Sequence, residues 1–398
     1  MRSLNMQNMR SIGAGKSSDP LAQFLQFYAP LNGDINLSKG TGPPTFVRGS
    51  KAYYPNASGV ITEYANDVPV VDTAKGVLVE PTILNVCKQS QDFATTWEVY
   101  LAAVTANQAI APDGTQTADL LYPTSSALYP CVYQGIVLAA VPTTVSIYVK
   151  SAGFTWVAFR AMDGGGTTGA WFNIVTGELG QNTIASPSAV TPRVTSTGNG
   201  WFRISISGTG AGSVFSQLHL ADADGSLMAT VSGASGVYLW GGQVETSSVP
   251  TSYIPTTTGS VQRNACSLSY PVAGNLTNTA GTIYCEYYPL LTTGTPEIIS
   301  SSSTNGIKTS STSIVVSDGT NTPTGQTLVT NAVNKIAVSW GGNGIRFTRN
   351  GAAVTTGTFD GSMGFTDILV GSGVTGFIKS VKIYSVQVVD ADLIRITA

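Results

Sequence analysis

The sequence predicts an all-β protein: two antiparallel β-sandwich (jelly-roll) domains following a small N-terminal anchoring region. Three observations predict it. Of the 398 residues, 42% are hydrophobic and only 11% are charged, so charged helix surfaces cannot be numerous. Gly (44) and Pro (19) supply turns throughout the chain. Apolar residues recur with a period of two rather than 3.6, which is the pattern of half-buried strands.

Residues 1–80 form the first part. Residues 1–20 are polar and expected to be flexible. "LAQFLQFYAPL" (21–31) reads as a short helix or an anchoring apolar strip, and "RGSKAYYPNASGVITEYANDVPV" (48–70) as a hairpin. Its strands would be Ala52 to Tyr54 and Val60 to Tyr64, joined by a Pro-Asn turn.

Residues 81–265 form the second part. In "TVSIYVK" (144–150), Val145, Ile147 and Val149 alternate with Ser146, Tyr148 and Lys150. In "WFRISIS" (201–207), Phe202, Ile204 and Ile206 alternate with Arg203, Ser205 and Ser207. "WFNIVTGELG" (171–180) reads as strand, Thr-Gly turn and strand. "SGVYLWGGQVE" (235–245) closes the sandwich, with Trp240 in the interior and Gly241 and Gly242 at a bulge. "TSSVPTSYIPTT" (246–257) then leaves as an extended tether, because proline biases the preceding residue away from helix.

Residues 266–398 form the third part. "TIYCEYY" (282–288) alternates, "IRFTRNGAAV" (345–354) carries the Asn-Gly hairpin signal, and "GFIKSVKIYSVQV" (376–388) is a further strand. "DADLIRIT" (390–397) is expected to make at most one helical turn.

The formal net charge is −2 with no basic stripe, which argues against nucleic acid as a partner. No apolar run approaches the roughly 18 residues of a membrane span. The first twenty residues lack the apolar core of a signal peptide, so folding is expected in a cytoplasm. Cys87, Cys131, Cys266 and Cys285 read as free structural thiols, a Cys87–Cys266 clip being the alternative. With one histidine and no C-x-x-C pair, zinc is not expected. No cofactor is predicted.

Chemical motifs are sparse. "GAGKSS" (13–18) is similar to a phosphate-binding loop, but the pattern needs glycine where Arg10 stands. "DGGGTTG" (163–169) reads as a hairpin loop. A histidine-based triad could use only His219, whose neighbours in "SQLHLAD" alternate as in a strand, so a structural role is the reading. Paired carboxylates for glycoside hydrolysis would come from Asp113, Asp119, Asp163, Glu178, Asp222, Asp224, Glu245 and Glu286. Most lie near turns, where Asp bonds local backbone. "ADADG" (221–225) reads as a turn, with structural calcium left open. The protein is therefore not expected to be an enzyme. Aromatic residues in or beside strands are the better candidates, because sugars stack on exposed rings. Trp156, Trp171, Tyr253 and Tyr288 are the candidate glycan contacts, against the alternative that each fills a core.

Seven stretches, collinear across residues 48–265, together resemble a module of tailed-bacteriophage virion proteins. They are "RGSKAYYPNASGVI" (48–61), "GVLVEPTILNVCKQSQDF" (76–93), "APDGTQTADLL" (111–121), "SIYVKSAG" (146–153), "FNIVTGEL" (172–179), "GNGWFRISIS" (198–207) and "LWGGQVETSSVPTSYIPTTTGSVQRNA" (239–265). "EPTILN" (80–85) replaces a more charged Glu-Ala-Arg-Thr-Asn-like string, which puts one local ion pair in doubt. "NKIAVSWGGNGIRFTRNGAAVTT" (334–356) and residues 367–396 resemble the late strands of a concanavalin-A-like (laminin-G-like) sandwich. The resemblance implies a tail-fibre, head-fibre or minor structural protein of a virion, assembled in the host cytoplasm. Its partners would be other virion proteins (capsid, portal, collar or tail) reached through residues 1–80, and host-surface glycan, with a homo-oligomer, a trimer, as the expected state. A capsid decoration or collar protein without a glycan role and a polysaccharide depolymerase are the alternatives.

Overall fold

The computed structural model describes residues 21–398 apart from 164–165, 182–189, 210–211, 213, 234 and 302–304, and apart from the side chains of 162–167. "GAGKSS" and the Asp163 side chain lie outside the described residues. The protein is all-β, built as two antiparallel β-sandwiches, as its alternating sequence predicts. Among the described residues no helix is long and apolar enough to cross a membrane.

One sandwich packs an eight-stranded sheet against a seven-stranded one. The first sheet runs Thr355–Gly357, Ile345–Arg349, Asn334–Trp340, Gly281–Pro289, Gly376–Tyr384, Gly76–Val79 and Val71–Asp72, with Leu25–Ala29 also paired to Gly376–Tyr384. The second includes Thr45–Val47, paired to Ser267–Pro271, and Asp367–Ser372 beside it. Between them lie Ile283, Tyr287, Ile299, Trp340 and Phe347, all fully buried.

The pairing corrects the boundary expected at residue 80. Phe27, Val77 and Val79 lie in the core of the C-terminal sandwich, so Leu25–Ala29, Thr45–Val47, Val71–Asp72 and Gly76–Val79 are strands of it, and residues 21–80 form no region of their own. The apolar strip at 21–31 is a short 3-10 turn (Ala22–Phe24) followed by the strand Leu25–Ala29. The C-terminal helix Asp390–Thr397 has eight residues, two turns rather than one. Acidic Asp390 and Asp392 in its first turn and Arg395 in its last suit the helix dipole, and Leu393 anchors it on Tyr284 and Tyr384.

The other sandwich is inserted between Val79 and Ser267. Its six-stranded sheet is ordered Thr191–Gly198, Trp201–Thr209, Pro142–Ala152, Gly236–Glu245, Ala118–Pro123 and Ala102–Ala109. Its five-stranded sheet is ordered Gly166–Asn173, Trp156–Asp163, Val214–Ala221, Cys131–Ile136 and Glu98–Tyr100. Val145, Ile147, Val149, Phe202, Ile204 and Ile206 point inward, as their alternation predicts.

Entry and exit strands Ile83–Asn85 and Val261–Arg263 pair to form a neck. Beside it Arg263 and Glu80, 1% and 2% exposed, make an ion pair at 3.2 Å. Glu80 accepts hydrogen bonds from the Ser252 backbone N–H and hydroxyl, while Arg263 donates to Ser252 and to the Pro81 carbonyl. The segment read as a tether is therefore built into the neck: Val249, Tyr253 and Ile254 are buried, and Asn85 donates to the Ile254 carbonyl. The bulge expected at Gly241 and Gly242 is present, since Ser146 pairs Gln243 while Tyr148 pairs Trp240. Trp240, expected in the interior, lies on the outer face of the six-stranded sheet. There it packs with Tyr148, Trp201 and Tyr253 beneath the predicted hairpin of Ala52–Pro55 and Ile61–Tyr64. All four cysteines are free and buried, so Cys87 and Cys266 form no clip.

Candidate functional site

The hairpin covers the outer face of the six-stranded sheet, whereas the outer face of the five-stranded sheet carries a cleft of about 400 Å³. Period-two alternation builds it. Along Val214–Ala221, Val214, Leu218 and Leu220 enter the core, which turns Phe215, Gln217 and His219 outward. Register aligns them with neighbours: Tyr133, Gln217 and Arg160 form one cross-strand row, and Tyr100, Cys131 and His219 the next. Tyr129 comes from the connection after Ala127–Leu128, which pairs Met228–Ala229 as a small wall. Its backbone sits at φ 70°, a strained conformation for a bulky residue, held where its N–H donates to the Leu227 carbonyl.

The cleft has exposed aromatic rims and a buried polar floor. Tyr100 and Tyr129 are 54% and 46% exposed, while His219 is 1% exposed. Tyr129 meets the His219 ring edge-on at 6.3 Å, and Tyr133 packs near Phe215. Arg160 Nη1 lies 3.2 Å from His219 Nε2. A guanidinium can only donate, so Nε2 accepts and the imidazole proton sits on Nδ1. Burial, reinforced by the Arg160 charge and opposed by the Tyr129 backbone, pushes the His219 pKa down to about 3. The Tyr133 hydroxyl donates to Glu98 at 2.6 Å, and that bond raises its pKa. Burial raises the Cys131 thiol, which accepts from Gln217 Nε2.

Three polar atoms of this floor, Arg160 Nε, Gln217 Oε1 and His219 Nδ1, are buried without a hydrogen bond of normal geometry. Each unmade bond costs about 1–3 kcal/mol. The arrangement offers donors and an acceptor below, and ring faces at the mouth.

The predicted aromatics do not assemble here. Trp156 and Trp171 share the outer face of this sheet but pack at its closed end with Leu227. Trp171 is 4% exposed and donates from Nε1 to the Ser226 carbonyl at 2.6 Å. Tyr253 is 1% exposed, its ring enclosed by Trp240 and Tyr148 and its hydroxyl bonded to Ser90. With Trp240 it floors a smaller cleft of about 310 Å³ under the hairpin. Tyr288 lies on the other sandwich, half-buried against Phe377 and Lys75. Large residues were the natural candidates, but large rings fill cores as readily as they line clefts. Tyr100, Tyr129, Tyr133, Phe215, Arg160 and Gln217 were missed. Alternation in "SQLHLAD" already put Gln217 and His219 on one face, but their cross-strand neighbours carry no local signal.

The candidate carboxylates work locally. Asp119 caps the Phe93 and Asn107 N–H groups, and Glu245 holds Thr251 and Gln243. Asp222 holds Thr230 and Asp224 holds the Gln181 N–H, so the two acids of "ADADG" serve different partners. Glu178 and Glu286 accept from Thr176 and Tyr284. Asp113 holds Thr115 beside the smaller cleft. None of them lines the five-stranded sheet's cleft.

No family model and no curated protein matches this chain. Among solved structures it is similar to domain 4 of AbnA, a GH43 extracellular arabinanase from Geobacillus stearothermophilus in complex with arabinotriose. That likeness has 13% identity over 38% of this chain and 82% of the other, with a TM-score of 0.26. It is also similar to the LG1–3 region of the laminin α2 chain, at 11% identity over 67% of this chain and 66% of the other, with a TM-score of 0.22. Likenesses this weak carry no argument, and the sandwich fold rests on the sheets themselves.

Proposed function

We propose that this chain is a non-catalytic glycan-binding protein whose ligand docks on the outer face of the five-stranded sheet. One observation carries the reading: Arg160, Gln217 and His219 form a polar floor in a cleft lined by Tyr100, Tyr129, Tyr133 and Phe215, with Arg160 Nε and Gln217 Oε1 lacking a hydrogen-bond partner. A sugar ring presents an apolar face and a hydroxyl edge, so exposed aromatics and sunken polar groups suit it together. The cleft lining contains no carboxylate pair, which supports binding over hydrolysis. The sequence resemblance supports carriage on a tailed-phage virion, with host-surface glycan as the target. In a homo-oligomer, a trimer on this reading, avidity would multiply weak single sites.

The test is a glycan array followed by calorimetry with wild type, Tyr100→Ala and Tyr129→Ala. Wild type should bind, and each variant should lose about tenfold in affinity at unchanged thermal stability. An array without a bound glycan, or variants that bind as wild type does, would sink the reading.

A further inference from the structure

We infer that the ligand of this cleft carries a carboxylate, as a uronic-acid sugar does, and that Arg160 receives it through its Nη2 end. The inference rests on the glycan reading above and adds the charge of the ligand.

Arg160 is a half-buried cation with no carboxylate in ion-pair range among the described residues. The side chains that bear on its charge are Tyr129 and Cys131, and neither is a carboxylate. Arg263 has Glu80 and Arg346 has both oxygens of Asp390, whereas Arg48 and Arg193 are held by neutral acceptors inside the protein; Arg160 differs from these in facing a cleft. Leaving a guanidinium partly desolvated and unneutralised is costly unless an anion arrives from outside.

The geometry says which end is free. Nη1 is committed to His219 Nε2, which as a neutral acceptor orients the guanidinium without neutralising it. Nε is closed to solvent, and among the described residues Nη2 has no hydrogen-bond partner, which leaves Nη2 as the donor a ligand can reach. A guanidinium N–H to a carboxylate oxygen is a charge-assisted hydrogen bond, stronger than a neutral one. Gln217 Oε1, next along the same cross-strand row, is an unfilled acceptor. Glu98 at the far end of the row is engaged by the Tyr133 hydroxyl and does not reach the guanidinium.

The test uses the 398-residue chain and three matched probes: a galacturonic-acid oligosaccharide, its methyl ester, and a sulfated neutral oligosaccharide of equal length. Wild type should bind the free acid about 10- to 100-fold more tightly than the ester, with affinity falling as salt rises. Arg160→Gln should erase that preference, and Arg160→Lys should recover only part of it, while Tyr129→Ala should weaken acid and ester alike. Equal affinity for acid and ester, a preference for the sulfated probe, or a preference that survives Arg160→Gln overturns the inference. If acid and ester bind equally and Tyr129→Ala weakens both, the glycan reading stands without the carboxylate. If no probe and no array glycan binds, both fall.

Discussion

The neck between the two sandwiches makes the sharpest energetic prediction. Arg263 and Glu80 are almost fully buried and 3.2 Å apart, and Ser252 bonds to both. Removing one partner leaves a charge in a site closed to water, which typically costs about 3–5 kcal/mol. Arg263→Met also strips donors from the Ser252 and Pro81 carbonyls, so the upper half of that range is expected. Glu80→Gln keeps the shape but leaves the guanidinium uncompensated, so about 3 kcal/mol is expected. The double variant removes both charges together and should cost well under the sum of the two. The assay is a double-mutant cycle by urea denaturation, read from tryptophan fluorescence, with Trp97 and Trp240 reporting on the inserted sandwich. A coupling of about 2 kcal/mol or more is expected. Additive single costs, with coupling below about 0.5 kcal/mol, would refute the claim that the pair holds the neck.

Three further outcomes follow from individual residues. Gly241→Ala should cost about 2–3 kcal/mol by thermal unfolding, because Gly241 has φ 66° and an added Cβ would lie 2.7 Å from the Tyr148 ring. Trp171→Phe should lower stability by about 1–2 kcal/mol yet leave glycan affinity unchanged by calorimetry, since its indole serves the Ser226 carbonyl and not the cleft. His219 has a folded pKa of about 3, below its ordinary value near 6.5 in the unfolded chain. Its stabilising share is therefore complete above about pH 6.5 and lost as pH falls toward 3, by at most about 1.4 kcal/mol per pH unit. His219→Gln should shed that part of the acid slope in denaturation curves taken between pH 7 and 4.

What could be read from the sequence was local. Alternation in "TVSIYVK" and "WFRISIS" placed the right residues in the core, and Asn350 and Gly351, at φ 48° and 72°, turn the hairpin their identities demand. What could not be read was pairing at long range. Phe27 faces Ile383, and Val77 faces Ile378, across the whole inserted sandwich, and no short window contains such information. Trp240 failed for a different reason. Alternation says that Leu239 and Trp240 point to opposite faces, but both faces of that strand are buried, so burial could not decide which face was the core.

That double burial also explains where a ligand can bind. The inserted sandwich has two outer faces, and the chain spends its hairpin, Tyr253 and the 246–256 segment on covering the six-stranded one. The cover is continuous with the neck, because Ser252 touches Glu80 while the next residue, Tyr253, packs on Trp240. A site on that side would compete with the contacts that fix the two sandwiches together. The five-stranded face has no such duty beyond its closed end at Trp171, so it can leave Arg160 and Gln217 with unfilled hydrogen bonds without loosening the neck. On the proposed reading, stability and recognition are thus placed on opposite faces of one sandwich. Arg160→Gln, which loses one hydrogen bond to His219, should therefore shift the urea transition of the inserted sandwich much less than Arg263→Met does.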